Sequence, residues 1–168
     1  MIVNKGKIKD LKVITPEVFY DFRGEYVETY SEKNYEAICG IHFVEDDISR
    51  SVFGVARGLH GDEKTWKLIQ CLYGSFFFVV VDYRKDSPTY LMVETFILND
   101  KNRKQILVPA GCGNGHLCLT NECLFSYKQS EYYSGAVKQF TLKWNDERFK
   151  IHMPISKHNI ITSERDKF

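Results

Sequence analysis

The chain has 168 residues, of which 43% are hydrophobic, enough for one domain with a sizeable core. Its 23 Lys and Arg against 22 Asp and Glu leave a net charge of +1, which excludes both binding to nucleic acid through bulk basicity and an acidic disordered chain. No apolar run approaches the ~18–20 residues of a membrane span, and five cysteines show no disulfide spacing. We therefore expect one cytoplasmic domain over residues 1–168 that engages neither nucleic acid nor membrane.

Short strand-like segments separated by turn residues follow one another along the chain. A single helix is predicted at residues 32–38, with Ser31 as its N-cap. Gly74 is typical of a tight hairpin turn between two strands. The predicted strands are residues 25–30, 41–44, 52–59, 66–73, 75–83, 92–98, 104–108, 116–119, 123–128 and 139–144. Many strands and little helix favour an all-β fold, a sandwich or jelly roll.

The strand at residues 76–81 is apolar at both odd and even positions. Successive side chains of a strand point to opposite faces, so this pattern predicts burial on both sides. We expect a second sheet to cover one face, and we treat the other face as a candidate contact with another subunit.

The segment Arg57-Gly58-Leu59-His60 is the first candidate for chemistry. Imidazole titrates near pH ~6.5, so His60 could be a general base, and the alternative is an ordinary, partly exposed histidine. The histidines are scattered singly without the spacing of metal ligands, so we expect no metal site; they are His42, His60, His116, His152 and His158.

Two further segments carry reactive side chains. Cys112 and His116 could form a nucleophile pair, but a tight glycine-rich turn entering a core strand is the favoured interpretation. Tyr127, Tyr132 and Tyr133 form an aromatic cluster that could donate a proton or stack on a ring, or could simply pack within the sheet.

Several motifs, in this order and spacing, give the chain a wider resemblance. They are residues 18–24 with Glu28, then 57–60, 67–68, 81–89, 108–111, 127–128, 144–146 and 163–166. With them the chain resembles the dTDP-4-dehydrorhamnose 3,5-epimerase family almost from end to end. The resemblance implies a cupin-type jelly roll (a double-stranded β-helix) with few short helices, assembled as a homodimer, with no metal and no bound cofactor.

The resemblance also implies a nucleotide-diphosphate-linked 4-keto sugar as substrate and a role for each reacting group. His60 would take the proton next to the ketone, and Asp166 would orient its imidazole. Lys67 would stabilise the enolate oxygen, and Tyr127 would return a proton to the opposite face.

The implied substrate-binding residues surround this centre. Two arginines would grip the diphosphate, the residues at positions 26 and 28 would contact the base, and an aspartate stands at position 47 where the family usually has an amide. The full predicted set is Arg23, Tyr26, Glu28, Asp47, Arg57, Asn114 and Tyr133.

Three departures from the family pattern bear on the sugar. Asn114 stands where the family usually has a histidine, Phe78 where it has an acidic residue, and Gly61-Asp62 where it has an aromatic residue followed by glutamine. They favour a subgroup acting on GDP-4-keto-6-deoxy-heptose in capsule or surface polysaccharide synthesis, with dTDP-4-keto-6-deoxy-hexose as the other candidate. They also leave open whether only C3 is inverted, or C3 and C5.

Two other functions remain open at this point. A sugar-nucleotide 3,4-ketoisomerase would require two histidines near the sugar, and only His60 is expected there. A non-catalytic jelly-roll protein would bind nucleotide sugars without proton exchange, but the presence of His60, Lys67 and Tyr127 weighs against it.

Overall fold

The computed structural model describes residues 1–167. Within that range the chain forms thirteen strands, one α-helix and three 3₁₀ turns. The strands are β1 (Ile2–Lys5), β2 (Lys12–Thr15), β3 (Val18–Asp21), β4 (Gly24–Val27), β5 (Glu45–Val52), β6 (Ala56–Gly61), β7 (Lys67–Tyr73), β8 (Ser75–Asp82), β9 (Val93–Asn99), β10 (Gln105–Val108), β11 (Cys112–Cys118), β12 (Glu122–Gln129) and β13 (Phe140–Thr141). The helix α1 spans Glu32–Cys39, and the 3₁₀ turns span Ala136–Lys138, Lys157–Asn159 and Glu164–Asp166.

Two antiparallel sheets face each other and enclose the core. The larger has six strands in the order β1-β2-β10-β7-β12-β5, and the smaller has five in the order β13-β6-β11-β8-β9. Strands β3 and β4 form a separate hairpin. Most neighbours within a sheet are distant in sequence, as in a jelly roll. The predicted all-β, cupin-type fold with few short helices is therefore confirmed.

Strand β8 is buried on both faces, as the sequence predicts. Phe76, Phe78 and Val80 pack between the two sheets, and Phe77 and Val79 point to the other side. That other side is covered by the chain's own C-terminal segment, which contributes Leu142, Trp144, Phe149 and partly buried residues up to Ile160. The expectation that this face is a contact between subunits is thus wrong: an apolar strand face shows that something covers it, without showing what.

Several predicted strand boundaries are also wrong. Residues 41–44 are irregular, and the strand begins at Glu45. A turn at Phe53-Gly54 separates β5 from β6, where one strand over 52–59 was predicted. The glycine-rich residues 112–115, predicted as a turn, belong to β11. A Cβ on Gly115 would collide with the carbonyl oxygen of Arg57, so this glycine allows a close approach of two strands.

The predicted helix is confirmed as α1, although Ser31 caps it differently from expectation. Ser31 takes the extended backbone of an N-cap (φ −142°, ψ 119°), but its side chain makes no capping hydrogen bond to any described residue. Across residues 1–167 no helix has the length and apolar character that a membrane crossing requires.

Candidate active site

A cavity of about 360 Å³ opens between the two sheets, and most of the predicted site residues meet there. Strands β6 and β11 of the smaller sheet form one wall, β7 and β12 of the larger sheet form the other, and the turn at 164–166 contributes a further side. Seven of the eleven predicted residues line it: His60, Tyr127, Asp166, Lys67, Arg57, Asn114 and Tyr133.

His60 and Asp166 form a hydrogen-bonded pair on one wall. The Nε2 atom of His60 lies 2.6 Å from Oδ1 of Asp166, and the other carboxylate oxygen accepts the backbone N–H of Gly58 at 3.3 Å. Asp166 is only 6% exposed, and its fixed carboxylate orients the ring. With Nε2 engaged, Nδ1 is the nitrogen left to act on a substrate.

Burial governs the charge state of His60. It lowers the pKa of the imidazole, while the negative charge and hydrogen bond of Asp166 partly oppose the shift and the cations of Arg165 and Lys67 add to it. The net direction is downward, so His60 is unprotonated at neutral pH. An unprotonated imidazole beside a carboxylate can accept a proton and keep the resulting cation paired.

Asn114 fixes the strand that carries His60. It lies opposite His60 in the β6–β11 ladder, and its Nδ2 donates to the His60 carbonyl oxygen at 3.1 Å. The neighbouring Gly58 has φ +105°, and a Cβ there would lie 2.6 Å from the Asn114 carbonyl oxygen. Glycine is therefore required where β6 bends to present His60.

Lys67 is a buried ammonium at the start of β7. The residue is 7% exposed and lines the cavity. Burial lowers the pKa of Lys67; Asp62 opposes this shift and Arg165 adds to it. A cation taken out of water in this way favours any negative charge that develops within the cavity.

Tyr127 faces the cavity from the larger sheet, opposite the wall that bears His60. Burial, helped by the negative charges of Asp47 and Glu45, raises the pKa of Tyr127 to about 12. The phenol therefore keeps its proton at neutral pH and can donate it. Histidine and tyrosine thus offer a base and an acid on two walls of one cavity.

Arg57 and Tyr133 complete the predicted lining. Arg57 donates from Nε to Ser51 Oγ at 3.1 Å and from Nη2 to the Arg50 carbonyl oxygen at 3.4 Å. Tyr133 has its backbone N–H tied to Glu45 Oε2 at 3.0 Å, and its side chain is exposed. The forked guanidinium of Arg57 suits binding of a phosphate group, and the exposed ring of Tyr133 suits stacking on a nucleotide base.

The other four predicted residues are outside the cavity lining of the described chain. Asp47 is linked to it, because Gln129, a lining residue, donates to Asp47 Oδ2 at 3.1 Å. Burial, followed by the negative charge of Glu45, raises the pKa of Asp47. The remaining three belong to the hairpin and the segment after it: Arg23, Tyr26 and Glu28.

Those three residues engage only local partners within residues 1–167. Arg23 pairs with Asp21 across the hairpin turn, and Glu28 accepts a hydrogen bond from Asn34 at 3.0 Å. The Tyr26 side chain is exposed. In one protomer they lie away from the cavity: β3 and β4 pair with each other and, in the described chain, with no other strand. Their grouping with the site stays a prediction.

The structure also corrects the expected positions of two residues relative to the cavity. His116 lines the cavity, whereas the sequence placed only His60 there. Phe78 is fully buried between the sheets, where it packs 6.1 Å from the lining residue Phe125 (centroid to centroid). The register of the strands determines where His116 and Phe78 point, because a shift of one position moves a side chain to the opposite face of the sheet.

Sequence reasoning missed Arg165 as a lining residue. Its guanidinium donates to Thr141 Oγ1 at 3.1 Å and to Gln139 Oε1 at 3.3 Å, which ties the C-terminal turn to the cavity rim. Its position next to Asp166 in the motif 163–166 was the available signal. With Arg57 and Lys67 it gives the cavity three cations, a setting suited to an anionic substrate.

In residues 1–167 no three side chains of His, Cys, Asp or Glu come close enough together to hold a metal ion. A base and an acid in one cavity of a jelly roll suit an enzyme that removes and returns protons, as an isomerase does. A family model described as dTDP-4-dehydrorhamnose 3,5-epimerase matches residues 5–168, and the chain belongs to that family.

Individual relatives agree with the family match. The dTDP-4-dehydrorhamnose 3,5-epimerase of Salmonella typhimurium is 37% identical over 161 residues, which cover 93% of this chain and 87% of the relative. The crystal structure of the enzyme of that name from Elizabethkingia anophelis superposes with a TM-score of 0.91 at 37% identity, covering 99% of this chain and 93% of that one. A 3,5-epimerase from Legionella pneumophila, solved with dTDP-4-keto-L-rhamnose, gives 0.92 at 33% identity, covering 98% and 89%. The predicted family and enzyme class are confirmed.

Proposed function

We propose that this enzyme inverts C3, with or without C5, of a nucleotide-diphosphate-linked 4-keto-6-deoxy sugar. The observation that carries the proposal is the pairing of His60 with Asp166 on one wall of the cavity, facing the protonated Tyr127 on the other. A base and an acid on opposite sides of a sugar ring are what inversion of a carbon centre requires.

The first step is removal of the proton on C3. His60 accepts this proton, and the electron pair of the C–H bond moves to form the C3–C4 double bond of an enolate, leaving negative charge on O4. Asp166 stabilises the imidazolium that results. Lys67, a buried cation in the cavity lining, stabilises the charge on O4, and a preorganised charge in a dry site contributes more than one in water.

The second step is protonation from the other face. The Tyr127 O–H donates to C3, the O4 electron pair re-forms the ketone, and the configuration at C3 is inverted. Solvent then returns a proton to Tyr127 and removes one from His60. Proton removal and return leave the oxidation state of the sugar unchanged, so the reaction as written consumes no oxidant or reductant.

Proton exchange in D₂O tests this function. The wild-type enzyme should introduce deuterium at C3 of a suitable substrate, and at C5 if both centres react, as followed by NMR and mass spectrometry. His60→Asn should abolish exchange, whereas Tyr127→Phe should slow inversion and retain exchange. Substrate binding without exchange would support a non-catalytic binding protein, and a ketone appearing at C3 would support the ketoisomerase.

The second histidine of the cavity does not favour the ketoisomerase. Burial, followed by the positive charge of Arg57, lowers the pKa of His116 to about 3. So weak a base is a poor proton acceptor at neutral pH. Its Nε2 atom also faces Ser51 Oγ at 3.3 Å, so this nitrogen is occupied within the protein.

Two substrates compete within the proposed class. The names of the relatives and the ligand of the Legionella structure support a dTDP-linked 4-keto-6-deoxy-hexose. A second cavity, of about 610 Å³, supports a GDP-linked 4-keto-6-deoxy-heptose: it adjoins the first through Gln129, Tyr133 and Gln139, and the unusual Asp62 lies in its lining. Space and polar groups beyond the ring site suit a sugar with an extra hydroxylated carbon.

Parallel assays separate the two substrates. We expect a difference in kcat/KM of at least tenfold between the heptose and hexose substrates, because a site shaped for an extra hydroxyl loses hydrogen bonds when that group is missing. Asp62→Ala should reduce kcat/KM for the heptose selectively. Efficient turnover of the hexose substrate alone, unaffected by Asp62→Ala, would assign the enzyme to the dTDP-linked sugar.

We further propose that the enzyme works as a homodimer in the cytoplasm, in capsule or surface polysaccharide synthesis. The hairpin β3–β4 exposes four aromatic residues, Phe19 at 55%, Tyr20 at 71%, Phe22 at 98% and Tyr26 at 68%. Such an apolar group is typical of a surface covered by a partner. A second copy of the chain would cover these aromatic residues. Arg23, Tyr26 and Glu28 of the first copy would then lie near the cavity of the second. Five free thiols support a reducing compartment.

A further inference from the structure

His116 is held in one orientation on the cavity wall. The residue is 2% exposed, and its ring stacks on Phe125 with centroids 4.2 Å apart and an interplanar angle of 10°. Phe76 packs against the same ring at 5.3 Å. Two aromatic neighbours therefore fix the plane of the imidazole, which leaves its Nε2 aimed at Ser51 Oγ, 3.3 Å away.

Ser51 connects this histidine to Arg57. The serine is 3% exposed, and its Oγ accepts a hydrogen bond from Arg57 Nε at 3.1 Å. A guanidinium can only donate hydrogen bonds, so Ser51 Oγ is the acceptor in its contact with Arg57. The hydroxyl hydrogen of Ser51 is then available for donation to His116. The neutral imidazole accepts that hydrogen at Nε2, and the chain of donors runs from Arg57 through Ser51 to His116.

Arg57 has few other restraints. Its second hydrogen bond, to the Arg50 carbonyl oxygen, is long at 3.4 Å, and no carboxylate within the described residues lies within 4 Å of its guanidinium. An arginine side chain has several rotatable bonds and loses considerable entropy when it is fixed. The hydrogen-bonded pair Ser51–His116 is thus the main interaction that holds the guanidinium of Arg57 at the cavity.

We propose that His116 is a positioning residue, which acts through Ser51 to fix the guanidinium of Arg57 for the diphosphate of the substrate. This inference rests on the proposed function, in which Arg57 binds phosphate. A positively charged imidazole would donate to Ser51 rather than accept from it and would repel Arg57. The buried, neutral state of His116 is therefore part of this arrangement. A preorganised guanidinium binds phosphate at a lower entropic cost than a mobile one.

A double-mutant cycle on nucleotide binding tests whether His116 positions Arg57, and it does not require turnover. The variants are His116→Phe, which keeps an aromatic ring of similar size but has no acceptor, Arg57→Ala, and the double variant. The probes are GDP and dTDP, titrated by calorimetry. We expect His116→Phe to weaken binding of the preferred nucleotide about tenfold in the wild-type background and less than about twofold in the Arg57→Ala background. Thermal unfolding of each variant checks that it folds.

Ser51→Ala provides an independent test should His116→Phe fail to fold. It removes the acceptor of Arg57 Nε and should weaken nucleotide binding to a similar degree, again only when Arg57 is present. In turnover, both variants should raise KM more than they lower kcat. An equal loss of affinity in the two Arg57 backgrounds, or no loss at all, would overturn the proposal. A coupled loss of nucleotide affinity in an enzyme that exchanges no substrate proton would instead count against the proposed reaction alone.

Discussion

The charge states of three residues in the cavity follow from one cause, removal from water. Burial disfavours the ionised form of every group, so it leaves His60 uncharged, keeps the proton on Tyr127 and makes the ammonium of Lys67 costly. At neutral pH, proton acceptor and proton donor are therefore both in their reactive forms. The individual residues could be proposed from the sequence, but their burial, and hence their charge states, depends on the folded chain.

The Asp166 carboxylate sets the pH range of the base. It raises the pKa of His60 against the effect of burial, so Asp166→Asn should lower that pKa further. The base is active when unprotonated, and activity is lost as pH falls through its pKa; the acid limb of kcat/KM should therefore move to lower pH in the variant. Its plateau should drop by about 10²–10⁴-fold, because the imidazolium loses its partner.

Glu164→Gln is the matched control for this profile, because it removes a carboxylate two positions away that is exposed and paired with Lys167. The measurement is kcat/KM from pH 5 to 9 for both variants, which tests whether His60 is the base. A limb that moves to higher pH in Asp166→Asn, or one that moves equally in Glu164→Gln, would show that another group is the base.

Replacing Lys67 with an apolar residue should raise the stability of the protein and lower its activity. The Lys67 ammonium is buried at 7% exposure, and replacing it with the apolar Lys67→Met removes a costly desolvated charge. We expect urea unfolding to show a gain of about 1–3 kcal/mol in stability. We expect kcat to fall by about 10²–10³-fold, since the charge on O4 loses its stabilising cation. Lys5→Met, at an exposed position in β1, should change neither quantity appreciably. A destabilised Lys67→Met protein would mean that the ammonium has partners that outweigh its desolvation.

Among the elements, the turn that follows β8 is organised by a buried carboxylate. Asp82 is 0% exposed and accepts hydrogen bonds from Arg84, Ser87 and Thr89. Burial raises the pKa of Asp82, but these hydrogen bonds outweigh it and bring the value down to about 2. The carboxylate thus joins the end of a core strand to the loop that leads into β9.

This pairing makes part of the stability dependent on pH. The pKa of Asp82 is lower in the folded than in the unfolded chain, so its contribution is complete above about pH 4 and is lost as pH falls towards about 2. Asp82→Asn should cost about 2–4 kcal/mol at pH 7, and the difference from wild type should shrink steadily below pH 4. Urea unfolding at pH 7, 4 and 3 measures both quantities. A difference that stays constant with pH would show that the charge of Asp82 is not what matters.

Local pattern predicted some of these elements and missed others for a physical reason. Strand β8 and helix α1 were predictable, because apolar residues and turn residues mark them in the chain itself. Residues 112–115 were misread, because glycine normally weakens a strand. Here it is needed for the contact of Gly115 with the backbone of Arg57, a residue 58 positions earlier. Close approach between distant strands leaves no local signal.

The whole molecule shows the same division between local and long-range information. The resemblance to the family pointed to His60, Lys67, Tyr127 and Asp166, and the fold gathers them around one cavity. The covering of β8 by the C-terminal segment was not predictable, since an apolar face does not specify its partner. Arg23, Tyr26 and Glu28 were grouped with the site by resemblance, yet in the single chain they lie on the hairpin and in the segment after it, away from the cavity. The proposed dimer would bring them to the cavity of a second copy.

That assembly can be tested by mixing two inactive enzymes. In the proposed dimer each cavity would combine His60 of one protomer with Arg23 of the other. A mixed dimer of His60→Asn and Arg23→Ala protomers then holds one cavity with both substitutions and one with neither. Random reassortment of equal amounts makes half of the dimers mixed, so about a quarter of all cavities should regain full function. If Arg23 serves its own chain's cavity, every cavity carries a defect and the mixture stays inactive.

The measurement is deuterium exchange at C3 after the two variants are unfolded and refolded together, compared with the same variants refolded separately and then mixed. Light scattering should give the mass of two chains for the wild type. Phe22→Ser, which removes the most exposed aromatic residue of the hairpin, should shift the protein towards one chain and weaken nucleotide binding, because the same hairpin would form the contact and deliver the arginine. A monomeric wild type with full exchange activity would exclude the shared cavity, since one chain would then contain everything the reaction requires.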